Sequence, residues 1–151
     1  MRAMTVLFAI VALGSAMAQT KKSLQLKDLP AAVQKTVVAN LNGGEIKNIA
    51  KEKEDGAEQY EVESVLNGKS RDFNVDSKGG LLVMEEGTTI DAIPAPAKAG
   101  ILKRVGVGRL GMIETFTKTG LPMMYEASYT DKNGKKHEVL VKADGSQSKE
   151  Q

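Results

Sequence analysis

The sequence predicts an α+β fold: two tandem units, each one helix plus a four-stranded antiparallel sheet, with the helices packed on one face of a shared sheet. Three observations lead there. Apolar and polar residues alternate one by one through segments that end at Asp55-Gly56, Asn67-Gly68 and Asn133-Gly134, pairs that favour tight hairpins. Two other stretches carry apolar residues at helical spacing, and each opens at a proline, Pro30 and Pro94. The chain also repeats itself. Leu29-Pro30-Ala31 recurs as Ile93-Pro94-Ala95, and at the same offset Val37 faces Ile101, Leu41 faces Val105 and Ile49 faces Ile113. Further on, Tyr60-Glu61 faces Tyr125-Glu126 and Asn67-Gly68-Lys69 faces Asn133-Gly134-Lys135. The offset grows only in turns, where insertion is tolerated.

In the first unit, Val33, Val37, Val38 and Leu41 lie along one helical face until Asn42-Gly43-Gly44 stops the helix. Strands follow at Ile46 to Lys53, Glu58 to Leu66, Lys69 to Val75 and Leu81 to Glu86. The second helix runs from about Pro94 to Val105 with Ala97, Ile101 and Val105 inward, and Gly100 weakens it by roughly 1 kcal/mol. Strands near Leu110 to Lys118, Met123 to Thr130 and Lys136 to Lys142, with a frayed C-terminal strand, complete the second unit. A unit of this size buries only about 60% of its unfolded surface and is marginal alone, so the two are expected to share one sheet.

The N-terminus reads as an export signal. Arg2 is followed by an apolar run from Ala3 to Leu13 and a small-residue exit, Gly14-Ser15-Ala16-Met17-Ala18. Cleavage after Ala18 is expected. The resulting divisions are a leader at 1–18, an exported segment at 19–27, a first unit at 28–88 and a second at 89–151. The apolar run is shorter than the roughly 20 residues that span a bilayer, so no membrane span is expected after cleavage. A Sec-type leader on a cysteine-free chain suits a bacterial periplasm or the medium.

Composition narrows the chemistry. With no cysteine there is no disulfide, thiolate metal site or cysteine nucleophile. A formal net charge of +2 without a basic cluster, and 4% aromatic residues without tryptophan, give no footprint for nucleic acid.

The order of helix and meandering strands given twice after a leader, with Leu29-Pro30, Tyr60-Glu61-Val62, Asn67-Gly68-Lys69 and Asp76-Ser77-Lys78-Gly79, resembles the secreted PepSY-like proteins. That group is related in fold to the beta-lactamase-inhibitor proteins. The resemblance covers residues 27 to 147 and implies an exported binding or inhibitory module. It supplies no catalytic residue. Pro122 and the Gly106-Val107-Gly108 segment depart from the pattern.

Motifs that suggest other chemistry sit in the wrong context. Gly106-Val107-Gly108-Arg109-Leu110-Gly111 matches a dinucleotide fingerprint, with Asp131 where a ribose-binding acid would stand. That fingerprint needs a strand before it and a helix after it, whereas here a helix precedes and β-rich sequence follows. Asp131-Lys132-Asn133-Gly134-Lys135 begins like a calcium loop, but Lys135 holds a ligand position and the glycine comes early, so a hairpin turn is expected. His137, the single histidine, aligns with Val139 and Val141 and reads as a half-buried packing residue. Met112, Met123 and Met124 read as core. No catalytic, cofactor-binding or metal-binding residue is expected.

Alternation leaves a candidate binding surface. If Tyr60 and Val62 point to the helix, Glu61 and Glu63 point away, and the repeat sends Glu126 and Ser128 the same way. Across the hairpins Asp72, Asn74, Glu138 and Lys142 join them. The chain is therefore expected to be a non-catalytic module that binds another envelope or secreted protein through this face or the hairpin tips, and to inhibit a peptidase or other hydrolase. The competing reading is a small envelope enzyme or small-ligand carrier, which would need a pocket of convergent polar groups.

Overall fold

A computed structural model describes residues 23–54 and 56–148. The expected leader and the start of the exported segment lie outside the described residues. After a 3-10 turn at Leu26–Asp28 come α1 (Ala31–Leu41), β1 (Glu45–Glu54), β2 (Ala57–Leu66), β3 (Lys69–Asp76) and β4 (Leu81–Thr88). Then follow α2 (Ala95–Val105), β5 (Arg109–Lys118), β6 (Met124–Thr130) and β7 (Lys136–Lys142). The strands form one seven-stranded antiparallel sheet in chain order.

This corrects the expectation of two tandem helix-plus-four-strand units. The sheet is a single meander with three strands after α2, and β4 pairs directly with β5 along Val83–Thr88. The missing strand has a physical reason. Beyond Lys142 the chain turns at Gly145 and makes one bridge, Val141 to Gln147, through Ser146-Gln147-Ser148, which offers no apolar or β-branched side chain to a sheet face.

Register assigns every strand residue a side. Ile49 pairs with Val62, Val62 with Phe73 and Phe73 with Met84, and this row faces α1 through Val33 and Val37. Met84 pairs with Thr117, two residues from Thr115 and four from Ile113, and Ile113 leads through Ala127 to Val139 under α2. Both helices thus lie on one side of the sheet. Their cores remain separate, because Thr117, between them, is exposed. Val38, expected on the inner face of α1, is 58% exposed.

Gly100 is explained by packing. A Cβ there would lie 2.3 Å from the carbonyl oxygen of Gly145, so the missing side chain admits the 143–146 turn against α2. Gly106 and Gly108 close the end of α2, with the Gly106 N–H donating to Leu102 O and the Gly108 N–H to Val105 O. They make the helix-to-strand connection, and a strand follows them.

Candidate functional site: the helix-free sheet face

The side of the sheet away from the helices is built by the other half of each strand's alternation. Glu61 pairs with Asn74 and Asn74 with Val83; Asp72 pairs with Glu85 and Glu85 with Phe116. Phe116 then pairs with Met124 and Met124 with Lys142, while Glu114 pairs with Glu126, Glu126 with Leu140, and Ser128 with Glu138. All eight candidate residues, Glu61, Glu63, Asp72, Asn74, Glu126, Ser128, Glu138 and Lys142, therefore project to one side. Glu63 and Lys142 are exposed, Glu61, Asp72, Glu126, Ser128 and Glu138 half-buried, and Asn74 buried.

The centre of this face is not the uniformly wet surface that alternation alone suggests. Val83, Phe116, Met124 and Leu140 form a buried cluster there, flanked by Leu82 and Leu121. Among them lie Glu85, 6% exposed, and Glu114, 9% exposed. Sequence reasoning missed these residues because faces were assigned only to strands that match through the repeat. Counting outward from Met84 and Ile113 would have placed Glu85 and Glu114 on the same face. Of the methionines expected in the core, Met124 is buried, but Met112 and Met123 are 59% and 49% exposed. Met112 sits in a bulge of β5, where its N–H donates to Ser128 Oγ at 2.8 Å.

A local device fixes Glu114. Ser70 Oγ on β3 donates to Glu114 Oε1 on β5 at 2.7 Å, passing over Gly87 on the strand between them. A Cβ at Gly87 would stand 2.7 Å from that hydroxyl, so only glycine leaves the path open. Asp72 is held by the Ser64 N–H at 2.9 Å. Glu85 has no such support. Its Oε1 and the Oδ1 of Asn74 are buried without a hydrogen-bond partner among the described residues.

The electrostatics follow from burial and crowding. Desolvation, then repulsion from Glu126, Glu114, Asp72 and Glu138, pushes the Glu85 carboxyl up to about 9. Desolvation, then Glu138 and Glu114, pushes Glu126 up to about 7. Burial likewise raises Asp72 and Glu138. At neutral pH this face holds protons. Among the described residues no group of three His, Asp or Glu side chains is arranged to hold a metal ion.

Other candidates are occupied by structural work. His137 Nε2 lies 2.8 Å from Asp131 Oδ2, and its ring stacks on Tyr129 at 5.1 Å. The histidine bond, with N–H donors from Lys135 and Asn133, holds Asp131 below the usual carboxylate range. Asp131 caps its hairpin turn by accepting those two N–H bonds, the same geometry with which Asp76 accepts from Lys78 and Gly80. On the helix side, a cleft of about 360 Å³ is lined in part by Leu66, Arg71, Glu86 and Thr115. Two of its charges are committed to each other. Arg71 pairs with Glu86 and donates from Nε to Asn40 O at the end of α1.

No family model matches the chain, so the PepSY-like resemblance gains no support there. No curated protein matches either. Solved structures do match in fold. A proposed periplasmic protein from Bacteroides eggerthii aligns with a TM-score of 0.65 at 16% identity, covering 79% of this chain and 85% of its own. A DUF2874 family protein from Bacteroides ovatus aligns at 0.62 and 12%, covering 79% and 84%. A BLIP-like protein from Bacteroides fragilis aligns at 0.58 and 14%, covering 80% and 83%. At such identities the likeness is one of fold alone.

Proposed function

We propose that the chain is an exported, non-catalytic protein-binding module of a bacterial envelope, and that its partner docks on the helix-free sheet face. One observation carries this reading. The face combines a buried apolar floor, Val83, Phe116, Met124 and Leu140, with a rim of half-buried and exposed polar side chains, the composition of an interface centre and its surround. The leader-like N-terminus supports export. The match in fold to a BLIP-like protein supports protein binding, and inhibition of a peptidase or another hydrolase is the activity we infer for it. Among the described residues no helix is long and apolar enough to cross a membrane.

The test is affinity capture from the organism's own envelope fraction by the tagged, exported protein and two variants. One variant carries Glu61→Lys and Glu63→Lys on the helix-free face; the other carries Lys35→Glu and Lys103→Glu on the helices. A specific protein retained by the parent and the helix variant but lost by the sheet variant is expected, and the captured hydrolase should lose activity on addition of the parent. Retention by both variants would refute this face.

A further inference from the structure

Resting on that reading, we propose that the centre of the helix-free face receives one cationic side chain of the partner protein, an arginine flanked by apolar residues, among Glu85, Glu114 and Glu126. Three independent features of the face converge on this ligand chemistry.

The first is charge. Asp72, Glu85, Glu114, Glu126 and Glu138 come from five adjacent strands onto one side of the sheet, and the cations on that side of the same strands are Lys118, Lys142 and, where β5 and β7 lie beside Thr130, Arg109 and Lys136; Arg109, Lys136 and Lys142 are exposed. Glu61 and Glu63 of β2 extend the same sign toward the other edge. The second is unmet hydrogen bonding. Glu85 Oε1 and Asn74 Oδ1 both lack hydrogen-bond partners among the described residues, both residues are more than nine-tenths buried, and both oxygens are acceptors when Glu85 is ionised. They are diagonal neighbours across β3 and β4, a separation of roughly 7–8 Å between backbones. A guanidinium, with five N–H donors on a rigid plane, can serve two such acceptors at once, whereas an ammonium presents three donors from a point. The third is the lining. Phe116 pairs directly with Glu85 and Met124 with Phe116, so apolar surface adjoins the acids and would cover the aliphatic stem of an inserted arginine. The absence of a three-ligand cluster among the described residues disfavours a metal ion as the cation.

The raised carboxyls add a consequence. A cation entering this site displaces the protons that Glu85 and Glu126 hold at neutral pH, so binding releases protons and tightens as pH rises.

The experiment uses the exported protein labelled with 15N and two peptides, acetyl-Leu-Arg-Leu-amide and its citrulline counterpart, which keeps the shape and removes the charge. The arginine peptide should shift the amide signals of Phe116, Met124 and Glu126 and bind at least fivefold tighter than the citrulline peptide. Its affinity should rise severalfold from pH 6 to pH 8. Glu85→Gln should bring arginine binding down to the citrulline level, and Glu126→Gln serves as a second variant should the first unfold. Equal affinity of both peptides with shifts on this face would overturn the cationic site and leave the docking face standing. Shifts confined to α1 and α2, or none, would overturn the cationic site, with the capture experiment deciding the face separately. Equal shifts of the same signals by calcium chloride, or concentration-dependent dimerisation abolished by Glu85→Gln, would also overturn it, in favour of a metal ion or a second copy of this chain.

Discussion

The two sides of the sheet obey the same alternation and differ in what they do with it. On the helix side the row Ile49, Val62, Phe73, Met84 is apolar, buried and capped by α1, so every group there is matched by packing. On the other side equally buried positions hold Glu85, Glu114 and Asn74 amid Phe116, Met124 and Leu140, and two of their oxygens have no partner among the described residues. The difference teaches where stability and recognition divide. A folded domain tolerates a desolvated carboxylate cluster only at a cost, and one face meets that cost while the other carries the chemistry of the proposed docking site.

The largest expected effect breaks the helix side. Phe73→Ala removes a ring that is 1% exposed between α1 and the sheet, and should cost about 3–5 kcal/mol in chemical denaturation, with no change in pH dependence. Glu85→Gln tests the other side and has the opposite sign. Because the folded protein holds the Glu85 proton up to about 9 while the unfolded chain releases it near the ordinary carboxylate value of 4.5, the folded state binds more protons between those limits. Stability is therefore fullest below about 4.5 and falls as pH rises toward about 9. The glutamine variant should be more stable than the parent by several kcal/mol at pH 9, on the order of 6, and nearly equal to it at pH 4.

Much of the frame was legible in the sequence. Hairpin pairs such as Asn67-Gly68 and Asn133-Gly134, and the prolines before both helices, mark boundaries that lie close to those of β2, β3, α1 and α2. The eight candidate residues fall on one side because period-2 alternation fixes direction whenever one apolar partner, here Val62, is placed correctly. The fourth strand of the second unit was over-read. Gly79 and Gly145 stand at positive φ in equivalent turns, but a turn does not oblige the polar Ser146-Gln147-Ser148 to pair as Leu81-Leu82-Val83 does. The acidic centre escaped for another reason. Burial of Glu85 depends on the two strands beside it, β3 and β5, and on the apolar cluster around it, and no local pattern in Met84-Glu85-Glu86 announces which glutamate is enclosed.

Gly100→Ala should be smaller in effect and would sharpen the account of the C-terminal turn. The added methyl improves helix propensity by about 1 kcal/mol but meets Gly145 O, so a net loss of about 1–2 kcal/mol is expected, with altered amide exchange at Ser146. Glu63→Lys, on the exposed rim, should move stability by no more than about 0.5 kcal/mol, since its side chain is exposed and accepts only a long, solvent-exposed bond from Asn48 Nδ2 at 3.3 Å.

The contrast between the faces is tested most directly by carbon-detected NMR titration of the Glu85 and Glu126 carboxyl groups in the folded, exported protein. The account predicts midpoints of about 9 and about 7, with both moving down when the arginine peptide is added. Titration of both groups near 4.5, unchanged by the peptide, would mean that the helix-free face is ordinary wet surface, and would contradict the division between a stabilising face and a binding one.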